Sequence, residues 1–410
     1  MNTLAGFRRS LQLVLSVTLL NCNGQIPRST VNTPIENSKV IGGAFENREY
    51  MYQGMPDQIA STDTSPGWGQ AGQKLVITGT IYRIDGKTPA PEVVLYYYHT
   101  TIEGRYVHKP GEKRTMLPNA LGQTHGYIRG WVKTDKSGKY TIYTVRPGTY
   151  PSRDEPAHIH LTIKEPAIDT PYYIDEFIFD DDQLLTPAKR KKLENRGGSG
   201  ILRVLVSDNL QIAEHNIILG LHVPNYPQIS PTQDSSGLSI GEDQPSFTPF
   251  HAFGPDKGTR TCPVCKYGRY HGIIYFVGNN PDWTRIKRWI TFLERQSRAR
   301  KKYLKAYFVY GNEQHYEKSK RQQELEKIGL ELQVKQVALT FVPSFSDTVS
   351  EANLNKINPG VENTFIVFKN RAIIDKYINL APTTVNFNLL SKVLDQTQGS
   401  NFKLAEPEHH

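Results

Sequence analysis

At 410 residues with a formal net charge of +9, the chain is too long for one compact core and implies two domains with flanking segments. Its composition is 38% hydrophobic and 22% charged. After the first two dozen residues no apolar run is long enough to cross a bilayer, which excludes a multi-pass membrane protein. The cationic excess sits in short runs, residues 189–192 and 298–302, without interleaved stacking aromatics. Such runs read as solvated helix faces, and nucleic acid is not expected as a partner.

Arg8 and Arg9 precede an apolar stretch over 11–20, followed at once by Asn21 and Cys22, the layout of a secretory signal over residues 1–22. Leu19-Leu20-Asn21-Cys22 resembles a bacterial lipobox, so Cys22 is the expected lipidated N-terminus. The resulting expectation is an exported protein, periplasmic or anchored in the outer membrane, held to the membrane by that lipid. Residues 23–55 are polar and without sustained periodicity, as a tether would be.

From Leu75 the pattern changes to short alternating runs at 75–82, 93–98 and 138–144, punctuated by Asp85-Gly86 and Ser137-Gly138. Many short strands with Gly and Pro turns predict an antiparallel β-sandwich over 56–228, closing near Pro224-Asn225-Tyr226-Pro227. Within it, Glu155-Pro156-Ala157-His158-Ile159-His160 places two histidines two residues apart. In a strand, positions i and i+2 share a face, so His158 and His160 offer two imidazoles to one metal while Ile159 faces away. That pair alone fits a zinc or copper fragment equally well, or two polar residues on a wet face.

Three other segments accompany it in order: Gly104-Arg105-Tyr106-Val107-His108-Lys109, then Arg129-Gly130-Trp131-Val132-Lys133, then Thr144-Val145-Arg146-Pro147-Gly148-Thr149-Tyr150-Pro151. Together these four motifs, within residues 75–227, resemble the intradiol ring-cleavage dioxygenases, the family of catechol 1,2-dioxygenase and protocatechuate 3,4-dioxygenase. The resemblance implies a ferric ion, Fe(III), held by Tyr106, Tyr150, His158 and His160. It further implies that a catechol-type substrate binds with both hydroxyls deprotonated. Tyr106 would be displaced as the base, and O2 would cleave the ring to a muconate-type diacid. The residue types suit that role. A phenol titrates near ~10, so a phenolate ligand at neutral pH needs a strongly Lewis-acidic cation, and a ferrous oxygenase would more typically show two histidines and a carboxylate.

Two positions depart from the family pattern. Glu155 stands where the family has an arginine that stabilises charge developing on the ring, and a carboxylate there opposes that charge. Arg153, Arg129 and Arg146 are the candidates to replace it, with Arg153 taken as the catalytic one. Asp175-Glu176 replaces a Thr-Gln pair. Both changes make the pocket more acidic and favour a neutral or cationic catechol over a carboxylated one. His108, His125, His215 and His222 read as structural or surface residues; His108 and His125 lie between the ligand segments.

Residues 229–250 are rich in Ser, Gly, Pro, Asp and Gln and read as a linker. An α/β domain follows over 251–398, with strands at 273–277, 306–310, 338–342, 364–368 and 372–377 and a helix starting after Pro281-Asp282. The series resembles a thioredoxin-like fold, with a tail at 399–410. Cys262-Pro263-Val264-Cys265 precedes the first core strand, whereas in thioredoxins the motif follows it. Three readings of the pair stand: a structural disulfide, which suits an exported chain; a thiol-disulfide exchange site; and zinc with His251 and His271. The two other functional classes consistent with the chain are a non-catalytic iron- or ligand-binding sandwich and a thiol-disulfide oxidoreductase. An oligomer is compatible with all of them.

Overall fold

The computed structural model describes residues 40–43, 47–227, 235–314 and 316–398. The signal and Cys22, most of the tether, and the 399–410 tail lie outside the described residues. Among the described residues no helix is long and apolar enough to cross a membrane.

The first domain contains β1 (Thr62–Thr64), β2 (Lys74–Tyr82), β3 (Val94–Tyr98), β4 (Arg129–Lys133), β5 (Lys139–Val145), β6 (His158–Lys164), β7 (Tyr172–Tyr173), β8 (Phe177–Phe179), the single-turn α1 (Pro187–Arg190), β9 (Ile201–Leu202), β10 (Leu205–Ser207), β11 (Leu210–Glu214) and β12 (Ile217–Ile218). One sheet runs β1-β5-β2-β11-β10 with β12 also on β2; the other runs β4-β3-β6-β8-β9 with β7 on β6. In β2 every second residue is buried, so Leu75, Ile77 and Ile81 meet Leu95, Ile159, Leu161 and Ile163 of the opposite sheet in one core.

The sandwich is mixed rather than antiparallel as expected: β1 with β5, β11 and β12 with β2, and β8 with β9 all pair in parallel. Those pairings are non-local in sequence, and strand alternation, which reports only which face is buried, does not encode strand direction. The expected tether also ends earlier than residue 55. Tyr50 and Met51 are buried, in a 3-10 turn over Arg48–Met51, because Met51 packs on Tyr96 and Trp131.

The second domain is one sheet flanked by helices, with β13 (Phe250–Phe253), α2 (Pro263–Tyr267), β14 (His271–Val277), α3 (Trp283–Arg300), β15 (Leu304–Tyr310), α4 (Lys318–Glu331), β16 (Val337–Phe341), β17 (Thr364–Lys369), β18 (Ala372–Ile378) and α5 (Thr384–Gln398). Its strand order is β13-β16-β15-β14-β17-β18, with β14, β15 and β16 parallel and the outer strands antiparallel. Asp282 caps α3 by accepting the Arg285 N–H at 3.1 Å. Ile286, Trp289, Ile290 and Leu293 of α3, with Leu325 of α4 and Leu390 of α5, cover one face of the sheet. The Glu294 carboxylate, on the same helix, accepts the backbone N–H groups of Lys335, Gln336 and Val337 at 3.1, 2.8 and 3.0 Å. Glu294→Ala leaves three N–H donors at the start of β16 without acceptors. The expected loss is about 3 kcal/mol, seen as a lower thermal midpoint of this domain.

The segment read as a linker is built into both domains. Ser199 of the sandwich donates its N–H to Gly241 O at 2.9 Å, Gly241 N–H donates to Ile373 O at 2.9 Å and Gln244 N–H to Arg371 O at 2.8 Å. Asp243 pairs with Ala372 as a β-bridge while its carboxylate takes Arg203 of the sandwich, and Lys87 reaches Asp375 at 2.6 Å. Composition suggested a loose connection, yet Ser236 and Phe247 are buried. The sheet edge of β18 supplies the backbone partners that a low-hydrophobicity stretch lacks by itself.

Two buried histidines make stability depend on acid. His99 and His271 are almost fully buried, and burial before all else brings each down to about 4, with nearby positive charge from His158 and His160, or Lys369 and Arg300, acting in the same direction. Between pH 6.5 and 4 the unfolded chain binds protons that the folded one refuses. This stability is therefore complete above 6.5 and is lost as pH falls through that window, by about 1.4 kcal/mol per pH unit per histidine. Chemical denaturation at pH 7, 6, 5 and 4 should show a falling midpoint. Substituting both residues with neutral isosteres should make the trend shallower, while His215, which burial also brings down to about 4, keeps part of it.

Candidate metal centre

His158 and His160 lie on β6 with side chains on one face, while Ile159 between them is buried in the sandwich core. Tyr150 follows β5, and Tyr106 comes from the loop after β3. Two glycines let these backbones touch. A Cβ on Gly104, which has φ 74, would meet Thr149 O at 1.7 Å, and one on Gly148 would meet Ile102 O at 2.1 Å. The loop therefore docks beside Tyr150, and the Tyr106 and Tyr150 hydroxyls come to 2.9 Å of each other.

Around the Tyr150 hydroxyl the site closes: His158 Nε2 lies at 3.1 Å and His160 Nε2 at 3.3 Å, with the two Nε2 atoms 3.1 Å apart. Donors bound at about 2.1 Å and subtending 90–109° stand roughly 3.0–3.4 Å apart, so these separations match a shared coordination sphere. Proton counting points the same way. His158 Nδ1 contacts Pro156 O at 2.7 Å and therefore carries its proton on that side. His160 Nδ1 faces the Glu176 carboxylate at 3.7 Å. Both Nε2 lone pairs then converge on two hydroxyls that have only two protons between them. Burial pushes both phenols up, so without a cation this cluster holds facing lone pairs and protonated phenols. A cation resolves both, and two anionic oxygens with two imidazoles suit a hard trivalent ion such as Fe(III). Outer contacts from a carbonyl and a carboxylate to the far ring nitrogens are the usual support of ligating histidines.

Sequence reading missed Tyr98. It is the cross-strand partner of His160 and its ring stacks on His160 at 4.6 Å and on His125 at 3.5 Å. The β3–β6 register that creates this stack is a tertiary fact, although the Tyr96-Tyr97-Tyr98 run was a visible aromatic signal. Burial, then the charges of His160 and Arg129, hold His125 well below its usual range, and its Nδ1 meets Tyr96 OH at 2.8 Å. His108 is exposed.

None of the arginines proposed to replace the family's ring-stabilising one contacts the four donors. Arg129 is buried on the carbonyls of Tyr50, Gln53 and Arg114, and Arg146 pairs with Asp181 at 2.7 Å. Arg153 is exposed at a φ of 54, its backbone N–H bonded to Tyr150 O. Glu155 is exposed at the same rim and its charge raises Tyr150. Glu176 is the carboxylate that faces His160 Nδ1, at 3.7 Å. Burial would raise it, but the hydrogen bond and charge of His160, then His158, bring it down to about 2. Glu176→Gln should weaken iron binding by about 10–100-fold, measured by chelator competition, without changing the thermal midpoint of the metal-free protein.

In the second domain Cys262 and Cys265 form a disulfide. Zinc with His251 and His271 does not stand: both nitrogens of His251 contact carbonyls, of Pro255 and Thr261, while His271 Nε2 meets Thr397. Among the described residues no group of three His, Cys, Asp or Glu side chains could hold a metal.

Two phenols and two imidazoles thus converge at the rim of a β-sandwich, an oxygen-and-nitrogen donor set of the kind that suits a metal ion. Residues 46–192 match the Dioxygenase_C family model, described as dioxygenase. The protocatechuate 3,4-dioxygenase beta chain of Burkholderia cepacia is 33% identical over 98 residues, 22% of this chain and 39% of that protein. Catechol 1,2-dioxygenase of Acinetobacter baylyi is 25% identical over 154 residues, 31% of this chain and 46% of that one. The chain thus spans less than half the length of these curated relatives. A solved hydroxyquinol 1,2-dioxygenase from Pseudomonas putida aligns over 47% of this chain and 68% of its own at 20% identity and a TM-score of 0.30. The sandwich domain is therefore similar, over residues 46–192, to the intradiol ring-cleavage dioxygenases.

Proposed function

We propose that the sandwich domain is an iron(III) intradiol dioxygenase acting on a neutral or cationic catechol. The observation that carries this reading is the convergence of three donor atoms, from Tyr106, His158 and His160, on the Tyr150 hydroxyl. Bound ferric iron would supply the Lewis acidity that deprotonates a catechol and primes its ring for O2. Tyr150, His158 and His160 hold the centre, with Pro156 O and Glu176 directing both Nε2 atoms inward. Tyr106 is the outlying donor, hydrogen bonded to Tyr150 alone among the four. As a phenolate ligand of the bound ion, its oxygen would be the group placed to take the proton of an entering catechol hydroxyl. Glu155 and Glu176 give the site an acidic character that disfavours a carboxylated ring.

A second reading, an iron-binding module without turnover, is favoured by one observation: Glu155 occupies the family's arginine position and no arginine among Arg129, Arg146 and Arg153 contacts the donors. Reconstitution with iron separates the two. A tyrosinate-to-iron charge-transfer band that shifts on adding catechol, with O2 uptake, supports the enzyme. The band without uptake supports the module, and a colourless, iron-free protein overturns both.

The same proposal extends to the rest of the chain. Export and lipidation at Cys22 would appear as a diacylglyceryl adduct on Cys22 in the membrane fraction. The helix-flanked sheet is consistent with a thioredoxin-like second domain.

A further inference from the structure

Cys262 and Cys265 close a disulfide across two intervening residues. Disulfide stabilisation grows with the size of the loop it closes, so a four-residue ring is the least effective kind of staple. The surrounding backbone is held without it. Lys266 N–H donates to Cys262 O at 3.2 Å and Gly268 N–H to Val264 O at 2.9 Å, while Arg371 N–H donates to Gly268 O at 2.7 Å. Tyr267 is buried against the sheet face opposite α3 and Val264 is also buried, His251 Nε2 lies 2.9 Å from Thr261 O, and Lys266 is paired with Asp256 at 2.7 Å. Opening the S–S bond therefore leaves this segment in place.

The two sulfurs are not equivalent. Cys265 is exposed and Cys262 only partly so, and the Cys265 N–H points at Cys262 Sγ from 3.0 Å. A backbone N–H aimed at a sulfur stabilises the thiolate that forms there. Of the three cysteines in the chain, the third is Cys22, so the pair has no other internal exchange partner near it in sequence.

We propose that Cys262–Cys265 is a thiol–disulfide exchange site that accepts electrons from an external dithiol. A thiolate of the dithiol attacks the exposed Cys265 Sγ. The Cys262–Cys265 bond breaks, a mixed disulfide forms at Cys265, and Cys262 leaves as a thiolate held by the Cys265 N–H. The second thiol of the dithiol, as thiolate, then attacks its own sulfur in the mixed disulfide and releases Cys265. Two electrons and two protons pass from the dithiol to the pair, leaving Cys262 and Cys265 as thiols and the partner as its disulfide. The leaving sulfur is the one with the better-stabilised thiolate, the arrangement that speeds exchange. This activity is independent of the metal centre.

The test uses the full chain under native conditions, with dithiothreitol as the dithiol and glutathione buffers for the reverse direction, followed by alkylation and mass spectrometry. Reduction at least about 10-fold faster than in a peptide of residues 258–270, reversal by oxidised glutathione, and an unchanged thermal midpoint of the reduced protein are expected. In Cys265→Ser the remaining Cys262 should show a thiol pKa at least about one unit below that of Cys265 in Cys262→Ser, read from thiolate absorbance against pH. Resistance to reduction until the protein unfolds, loss of the domain's fold on reduction, or equal thiol pKa values near ~8.5 would overturn the proposal. Iron binding should be the same in both variants.

Discussion

Tyr150→Phe is expected to abolish tight iron binding, with affinity falling by more than about 100-fold and the visible band absent after reconstitution. The substitution removes one oxygen and keeps the ring, so packing is conserved. That oxygen is the common neighbour of the other three donors, at 2.9, 3.1 and 3.3 Å. Loss of an outer contact to a ligand already costs about 10–100-fold, and a lost ligand costs more. Tyr106→Phe should behave differently: it removes the donor that touches only Tyr150 among the four, so iron and an altered band persist while turnover falls. Metal analysis and spectra of the two variants side by side decide the assignment. If Tyr150→Phe holds iron as tightly as the unaltered protein, the centre is not built around that hydroxyl.

Arg129→Met should be the most destabilising single change in the sandwich, by about 3–5 kcal/mol. The guanidinium is 2% exposed and donates to Arg114 O at 2.7 Å, Tyr50 O and Tyr96 OH at 3.2 Å, and Gln53 O at 2.6 Å, with the Trp131 ring 5.2 Å away. Methionine fills the space and leaves those oxygens without donors. A fall of roughly 10 °C in the thermal midpoint follows from the usual scaling for a domain of this size. Because Arg129 holds Tyr50 and Gln53, limited proteolysis should now cut near residues 47–55. It also bonds Tyr96, which contacts His125, which stacks on Tyr98 and through it on His160. A smaller loss of iron affinity should accompany the loss of stability; if the midpoint is unchanged, the buried guanidinium is not what ties this segment down.

Sequence reasoning picked out four residues that converge in the fold because motif order is local information: an i, i+2 pair on a strand, and Gly-Arg-Tyr and Pro-Gly-Thr-Tyr segments at loop ends. It placed His125 between the ligand segments but not against them, because its contact with the site runs through Tyr98. That ring meets His160 only because Tyr98 and His160 are register partners across β3 and β6. Arg129 looked like a spare cation for the site; its partners are backbone carbonyls, including two from a segment some eighty residues earlier, and those leave no composition signal.

The residue types of the centre, the division into a β domain and an α/β domain, and the Cys-x-x-Cys spacing were all determined by the sequence itself, since each depends on periodicity or on neighbours within a few residues. Only the tertiary structure decided the parallel pairings in the sandwich, the incorporation of residues 235–250 between the domains, the placing of Arg129, Arg146 and Arg153 away from the four donors, and the carboxylate of Glu176 behind His160. Each of these is a contact between segments distant in the chain, where strand register and loop docking rather than local preference determine which groups meet.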